Sequence, residues 1–269
     1  MVGLLLGGWA VVKLWKGEEH LETEEERMLA VLGEGRAEDE AARRLLQNVE
    51  ETVRAYLGAE SIEQKVRLVR HPGRVRPLME RYYREHELRP VRFDVIGKMQ
   101  PVAVGSFPFL FLQVRDEEGK KHNLVLEQQA GGVLRFDWES EVCYQPMSLA
   151  EFIEEQPEEG LDFRVYMKAD AHYAHEFSDK EAYRSLYLTV RGEEAYLFGY
   201  VPRGTDLEER IDKALRTGRG GPVPALLRLR FEPGSRGQRL VRVEEMRSPR
   251  WAYLEDPDWA VPGGGNPAP

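Results

Sequence analysis

Apolar residues recur every fourth position from Ala41 through Leu45, Val49 and Val53 to Leu57, with Ala42, Leu46 and Tyr56 widening the stripe. That spacing predicts an amphipathic helix over residues 38–57 with one face on a core. Ser61-Ile-Glu-Gln64 is a capping box that starts a short helix carrying Ile62, Val66 and Val69. Pro72 breaks it and fits the first turn of a third helix. There Val75, Leu78, Met79, Tyr82 and Tyr83 form the buried face and Arg74, Arg76, Arg81 and Arg84 the wet one.

From Val91 the period changes to two. Residues 91–97, 101–115, 123–128 and 133–144 read as strands, with Asp116-Glu-Glu-Gly119 as a turn. Gly131-Gly132 lies between the last two, and both glycines can take the positive φ of a tight hairpin. A second capping box, Ser148 with Glu151, opens a short helix bearing Leu149, Phe152 and Ile153. The pattern then changes character over Gln156–Gly160, which divides the chain into an α+β domain at 38–155 and a β-rich domain at 160–255. In the second, strands at 163–167, 186–190, 195–201, 223–231 and 239–246 surround a helix at 207–215, and Trp251 and Tyr253 close the unit. Three strands, a helix and two strands is the order of a small OB-like β-barrel.

Helices followed by a curved antiparallel meander resemble the NTF2-like fold, in which a bent sheet wraps a helix to form a cone. Three stretches, Glu63–Tyr83 (EQKVRLVRHPGRVRPLMERYY), Phe136–Tyr144 (FDWESEVCY) and Ser148–Phe152 (SLAEF), are similar to those of uncharacterised bacterial, Verrucomicrobia-like, membrane-anchored proteins with such a domain. The resemblance covers about residues 40–155 and implies a fold and an anchor, with no activity attached.

The N-terminus fits that implication. Residues 2–12 carry no charge, and Trp9, Trp15, Lys13 and Lys16 are residue types that gather at a membrane interface. As a helix, 2–15 spans about 21 Å against a hydrocarbon core of roughly 30 Å. With no positive residue before it and no small-residue cleavage pattern after it, residues 1–16 read as an uncleaved anchor. An ordinary apolar helix of the domain is the other reading. Residues 17–37 form an acidic spacer, and the Gly- and Pro-rich 256–269 a disordered tail. The resemblance puts the soluble part outside the cytoplasm, whereas the positive-inside bias of Lys13 and Lys16 points the other way.

A net charge of −9 argues against general affinity for nucleic acid, although Arg and Lys outnumber Asp and Glu between Arg203 and Arg250. The single cysteine, Cys143, forms no internal disulfide and reads as a small buried hydrophobe.

Candidate chemistry is sparse. Asp137 and Glu139 alternate around Trp138; on a strand they share a side, where a like-charged pair raises one carboxyl toward acid/base use, or they form a plain solvent face. Phe107, Phe109 and Phe111 share one strand face, which either packs on a helix or, with Tyr82, lines a ligand-binding cone. Asp170 and His172 share a face on a strand, and His172 and His175 share one on a helix, so either pair could ligate a metal; no HExxH or cysteine-bearing spacing supports one, and the segment reads as a surface loop with two histidines. No sequence signal implies a cofactor. Arg216–Gly221 is Gly-rich but follows a helix, so it is a C-cap and loop rather than a phosphate cradle.

Three functions remain open. The preferred one is a membrane-anchored, non-enzymatic protein that binds a protein partner or an envelope component. The second is an enzyme using the cone interior with Asp137 or Glu139 as acid or base. The third is nucleic-acid binding through Arg228, Arg230, Arg239 and Arg242 of the barrel.

Overall fold

The computed structural model describes residues 24–104 and 107–254. The anchor at 1–16, the start of the spacer and the tail at 256–269 lie outside the described residues. Among the described residues no helix is long and apolar enough to cross a membrane. The chain divides between Glu51 and Thr52 into two units, which are taken separately.

Helix α1, Glu24–Leu57, begins inside the stretch read as an acidic spacer. Glu, Ala, Arg and Leu dominate there, and they are strong helix formers. The first unit holds α1 up to Glu51; of its predicted stripe Val49 is buried, Leu45 half-buried and Leu46 50 % exposed.

The second unit starts with the last turns of α1, where Val53, Tyr56 and Leu57 are buried. Helix α2, Ile62–Val66, is capped by Ser61, whose hydroxyl accepts from the Gln64 amide. The Gln64 side chain closes the cap one residue early, on the amide of Glu60. Helix α3, Pro72–Glu85, has its proline in the first turn as expected.

Four antiparallel strands follow in the order β1 (Phe93–Val104), β2 (Phe107–Asp116), β3 (Lys121–Gln128) and β4 (Leu134–Phe136), forming a curled half-barrel sheet. The first strand runs through the break predicted between 97 and 101. Gly97 marks a register shift there rather than a turn. Pro101 is tolerated because β1 is an edge strand. The hairpin at Gly131-Gly132 is present, with β3 and β4 paired through Leu126 and Phe136 and both glycines at positive φ.

The last strand is shorter than its sequence suggests. After Phe136 the chain enters helix α4, Trp138–Val142, because the Asp137 carboxylate accepts from the Ser140 amide at 2.8 Å and caps it. Glu139 and Glu141 in the first turn suit the positive end of the helix dipole. Asp137 and Glu139 are therefore a cap and a helical residue, not alternate positions on a strand. Cys143 ends α4 at positive φ and is buried, which pushes its thiol pKa up.

Register sorts the two faces of this sheet. Leu110 pairs with Leu126 and Leu126 with Phe136, so all three share a face, and Tyr56 of α1 stacks on Phe136 at 3.8 Å. The phenylalanine comb is on the other face: Phe109 with Val102, and Phe111 with Gln100 and Val125. The helix at Tyr56 thus lies on the Leu110 face, and the comb meets Ala252 and Leu254 near the C-terminus instead.

Helix α5, Leu149–Glu155, carries the predicted capping box. Strands β5 (Leu161–Ala169), β6 (Tyr183–Thr189), β7 (Tyr196–Pro202), β8 (Val223–Arg230) and β9 (Leu240–Ser248) close a barrel in the order β5-β6-β7-β9-β8. Helix α6, Asp206–Thr217, joins β7 to β8. The alternating residues predicted to point inward, such as Phe163, Val165, Leu186, Leu188, Leu227 and Val241, are all buried in one core. Gly199 of β7 lets that core close, since a Cβ there would stand 2.8 Å from Leu188 and 3.0 Å from Val243.

One end of the barrel is filled from the preceding segment. Phe152 of α5 lies 4.7 Å from Phe163 and 4.9 Å from Phe231, ring to ring. A cut between 155 and 160 passes between this side chain and the core it completes.

Candidate functional site

Strand β5 is buried on both faces from Asp162 to Val165. Its inward residues fill the barrel, and its outward residues Asp162 and Arg164 are buried too, Arg164 at 2 % exposure. They meet a cluster of charges drawn from the rest of the unit. Arg70 donates to Glu127 at 2.8 Å, to Asp137 at 2.7 Å and to the Tyr253 carbonyl at 2.8 Å. Arg164 donates to Glu139 and to the Tyr144 carbonyl, both at 2.9 Å, and Arg74 closes on the other oxygen of Glu139. The Tyr253 hydroxyl donates to Asp162 at 2.9 Å, while its ring lies 5.1 Å from the Arg74 guanidinium and 5.3 Å from that of Arg164.

Asp137 and Glu139, 5 % and 4 % exposed, are thus anionic partners of three arginines. A general acid or base needs a free proton site within reach of a substrate. Burial pushes the Asp137 carboxyl pKa up, but Arg70 and then Arg164, helped by Ser140, outweigh it and hold the group below the usual aspartate range. A carboxyl depressed on folding stabilises the fold fully above the unfolded value of about 3.9, and loses this as pH falls through the lower folded value. Unfolding midpoints of the wild type should therefore drop more steeply below about pH 4 than those of Asp137→Asn. Parallel acid limbs would show that Asp137 is not a titrating group of this transition.

Trp138 lies behind the cluster, T-shaped to Tyr82 at 5.5 Å and tilted against Tyr83 and Tyr144. Tyr82 also stacks on His86 at 3.9 Å. It belongs to this aromatic group and does not join the phenylalanine comb.

The comb lines an open cavity of about 360 Å³ between the sheet and the barrel. Phe109, Phe111, Val102 and Val125 form the sheet wall; Tyr166, Pro224, Trp251 and Ala252 form the wall opposite. Trp251 is fixed by its indole N–H, which donates to the Val165 carbonyl at 2.9 Å. Gln100, Asn123, Ser140, Arg191 and Arg250 supply the polar lining, which contains no carboxylate among the described residues. Phe107 packs with Phe109 and Ala252 beside the cavity. Tyr166, Arg191 and Arg250 come from three separate places in the barrel half and carry no local signal in the sequence, whereas Trp251 does, as an aromatic just past the last strand.

Asp170, His172 and His175 lie on the connection from β5 to β6 and do not converge. Asp170 accepts from the His172 amide, His172 stacks on Phe198 at 4.0 Å, and His175 opens a short 3-10 turn at positive φ. Among the described residues no three of His, Cys, Asp and Glu are placed to hold a metal ion. Of the barrel arginines, Arg228 pairs with Asp162 and Glu244, Arg230 with Glu244, and Arg242 with Glu232, while Arg239 lies over the Tyr196 ring.

The chain matches no protein-family model, and no curated protein matches it.

Proposed function

We propose that this chain is a membrane-anchored, non-enzymatic binding protein whose binding site is the cavity on the phenylalanine face. The observation that carries the reading is a division of labour between polar groups. Asp137 and Glu139, the acid/base candidates, are consumed by buried ion pairs, whereas the aromatic cavity beside them is open and of ligand size. The cone of an NTF2-like domain and an OB-like barrel are the fold assignments that go with it. Support for them is the helices covering one face of a curled sheet, and a closed five-stranded barrel with a helix between its third and fourth strands. Residues 2–15 would hold the chain to a membrane, with the soluble part outside the cytoplasm and an envelope component or protein partner as the source of the ligand.

The full chain is expected to sediment with membranes, to resist high-salt extraction and to leave with detergent. Native mass spectrometry of the extracted protein is expected to show a bound small molecule that is absent from Val125→Trp, in which the cavity is filled. Extraction by salt alone would remove the anchor, and a bound mass that persists in the filled variant would remove the cavity.

One observation favours a second reading, nucleic-acid binding on the barrel. Tyr187, Tyr196 and Phe198 form a ring cluster on β6 and β7, with Lys168 and Arg239 over two of the rings. It ranks second because Arg228, Arg230 and Arg242 are already neutralised. Salt-sensitive binding of a thymidine oligonucleotide, lost in Phe198→Ala, would reverse the ranking; no binding would end the reading.

A further inference from the structure

Several arginines among the described residues are matched by carboxylates. Arg70, Arg74 and Arg164 at the charged cluster and Arg228, Arg230 and Arg242 on the barrel each meet a carboxylate. The two that line the cavity do not. Arg191 is exposed; it donates to the Glu141 carbonyl at 2.6 Å, and its guanidinium lies 5.5 Å from the centre of the Trp251 ring. A neutral carbonyl and a ring face hold the group in place but leave its charge uncompensated. Arg250 is exposed as well, and among the described residues its guanidinium has neither a hydrogen bond nor an ion pair. In a chain of net charge −9, two unmatched cations on a cavity wall that holds no carboxylate select for negative charge.

The remainder of the lining says what carries that charge. Four walls are rings, Phe109, Phe111, Tyr166 and Trp251, and flat faces favour a flat guest through offset or edge contacts. At about 360 Å³ the space is at the small end of ligand pockets, of a size for one small molecule. Guanidinium groups match carboxylate geometry with two parallel hydrogen bonds. We infer that the cavity takes a small aromatic acid, its ring system between the Phe111 and Trp251 walls and its carboxylate on Arg250 and Arg191. This rests on the cavity being the binding site, as proposed above, and adds the chemical class of its ligand.

The test is calorimetric titration of the full chain, held in zwitterionic nanodiscs, with 2-naphthoate, its neutral isostere 2-naphthamide, and dodecanoate. Binding of 2-naphthoate is expected, weakening as salt is added. Arg250→Ala should weaken it about ten- to a hundredfold, the value of one charge-assisted hydrogen bond. Arg250→Lys, which keeps the charge and loses the fork, should fall between the two. Equal binding of acid and amide, or an unchanged affinity in Arg250→Ala, would overturn the inference. If the amide then fails to bind Val125→Trp, the cavity itself stands and only the charge selection is lost. Dodecanoate binding in preference to 2-naphthoate would overturn the aromatic assignment. Failure of all three probes on the wild type would remove both the inference and the cavity reading.

Discussion

Replacing Trp138 by alanine is expected to cost about 3–5 kcal/mol, against a total stability of roughly 5–15 kcal/mol for a domain. The side chain is 1 % exposed and sits among three tyrosines from two segments. Its removal therefore leaves a void bordered by rings that cannot collapse without losing their own contacts. The indole N–H also donates to the Tyr83 hydroxyl at 3.1 Å, so Trp138→Phe, which keeps most of the volume, should cost about 1 kcal/mol. Urea unfolding followed by far-UV circular dichroism reads both variants. An unchanged midpoint in Trp138→Ala would mean that α4 is not anchored by this residue.

The second large effect is expected at Glu139. Its carboxylate is shared by Arg74 and Arg164, and the Glu139→Gln side chain would leave two buried guanidinium groups facing a neutral amide. Breaking a buried pair by removing one partner costs about 3–5 kcal/mol, far more than the pair adds relative to a well-packed apolar replacement. The double variant Glu139→Gln, Arg164→Met should accordingly be less destabilised than the sum of the two single changes. Asp137→Asn should cost less, because Arg70 keeps Glu127 as a second partner. A loss below about 1 kcal/mol in Glu139→Gln would place these charges in contact with water and contradict their burial.

Why the sequence reveals the barrel but conceals this cluster is a matter of range. Phe163, Val165 and Met167 alternate because the inside of a barrel excludes water, and a period of two is visible within a few residues. Asp162 and Arg164 between them look like the solvent side of that strand. Their partners stand elsewhere in the chain, with Glu139 25 residues before Arg164 and Tyr253 91 residues after Asp162, and no local pattern records that. Phe136-Asp137-Trp138-Glu139 misleads for a related reason. Its alternation suits a strand, and what turns it into a helix start is the short reach of an Asp side chain to the amide three residues on, a signal present in the sequence but outweighed by β propensity.

The phenylalanine comb was legible as one face of one strand. Which face would be covered by a helix was not, because β2 offers Leu110, Leu112 and Val114 on one side and Phe107, Phe109 and Phe111 on the other. Two apolar faces give no preference until register and helix placement choose between them. The cavity exists because the larger rings fell on the side that the helix at Tyr56 does not cover.

The bond from Arg70 to the carbonyl of Tyr253 joins groups 183 residues apart. On a ribosome the chain emerges from its N-terminus, so Arg70, Asp137 and Glu139 leave the tunnel long before the segment that seals them from water. Until Tyr253 follows, the cluster stays hydrated and the outer side of β5 stays open. A contact of this sequence separation closes late and slowly, since most of the loop entropy must be given up before it forms. Ordering of the charged cluster and of the cavity wall at Trp251 thus waits for residues 251–253, and a nascent chain stalled short of residue 250 would have no finished binding site.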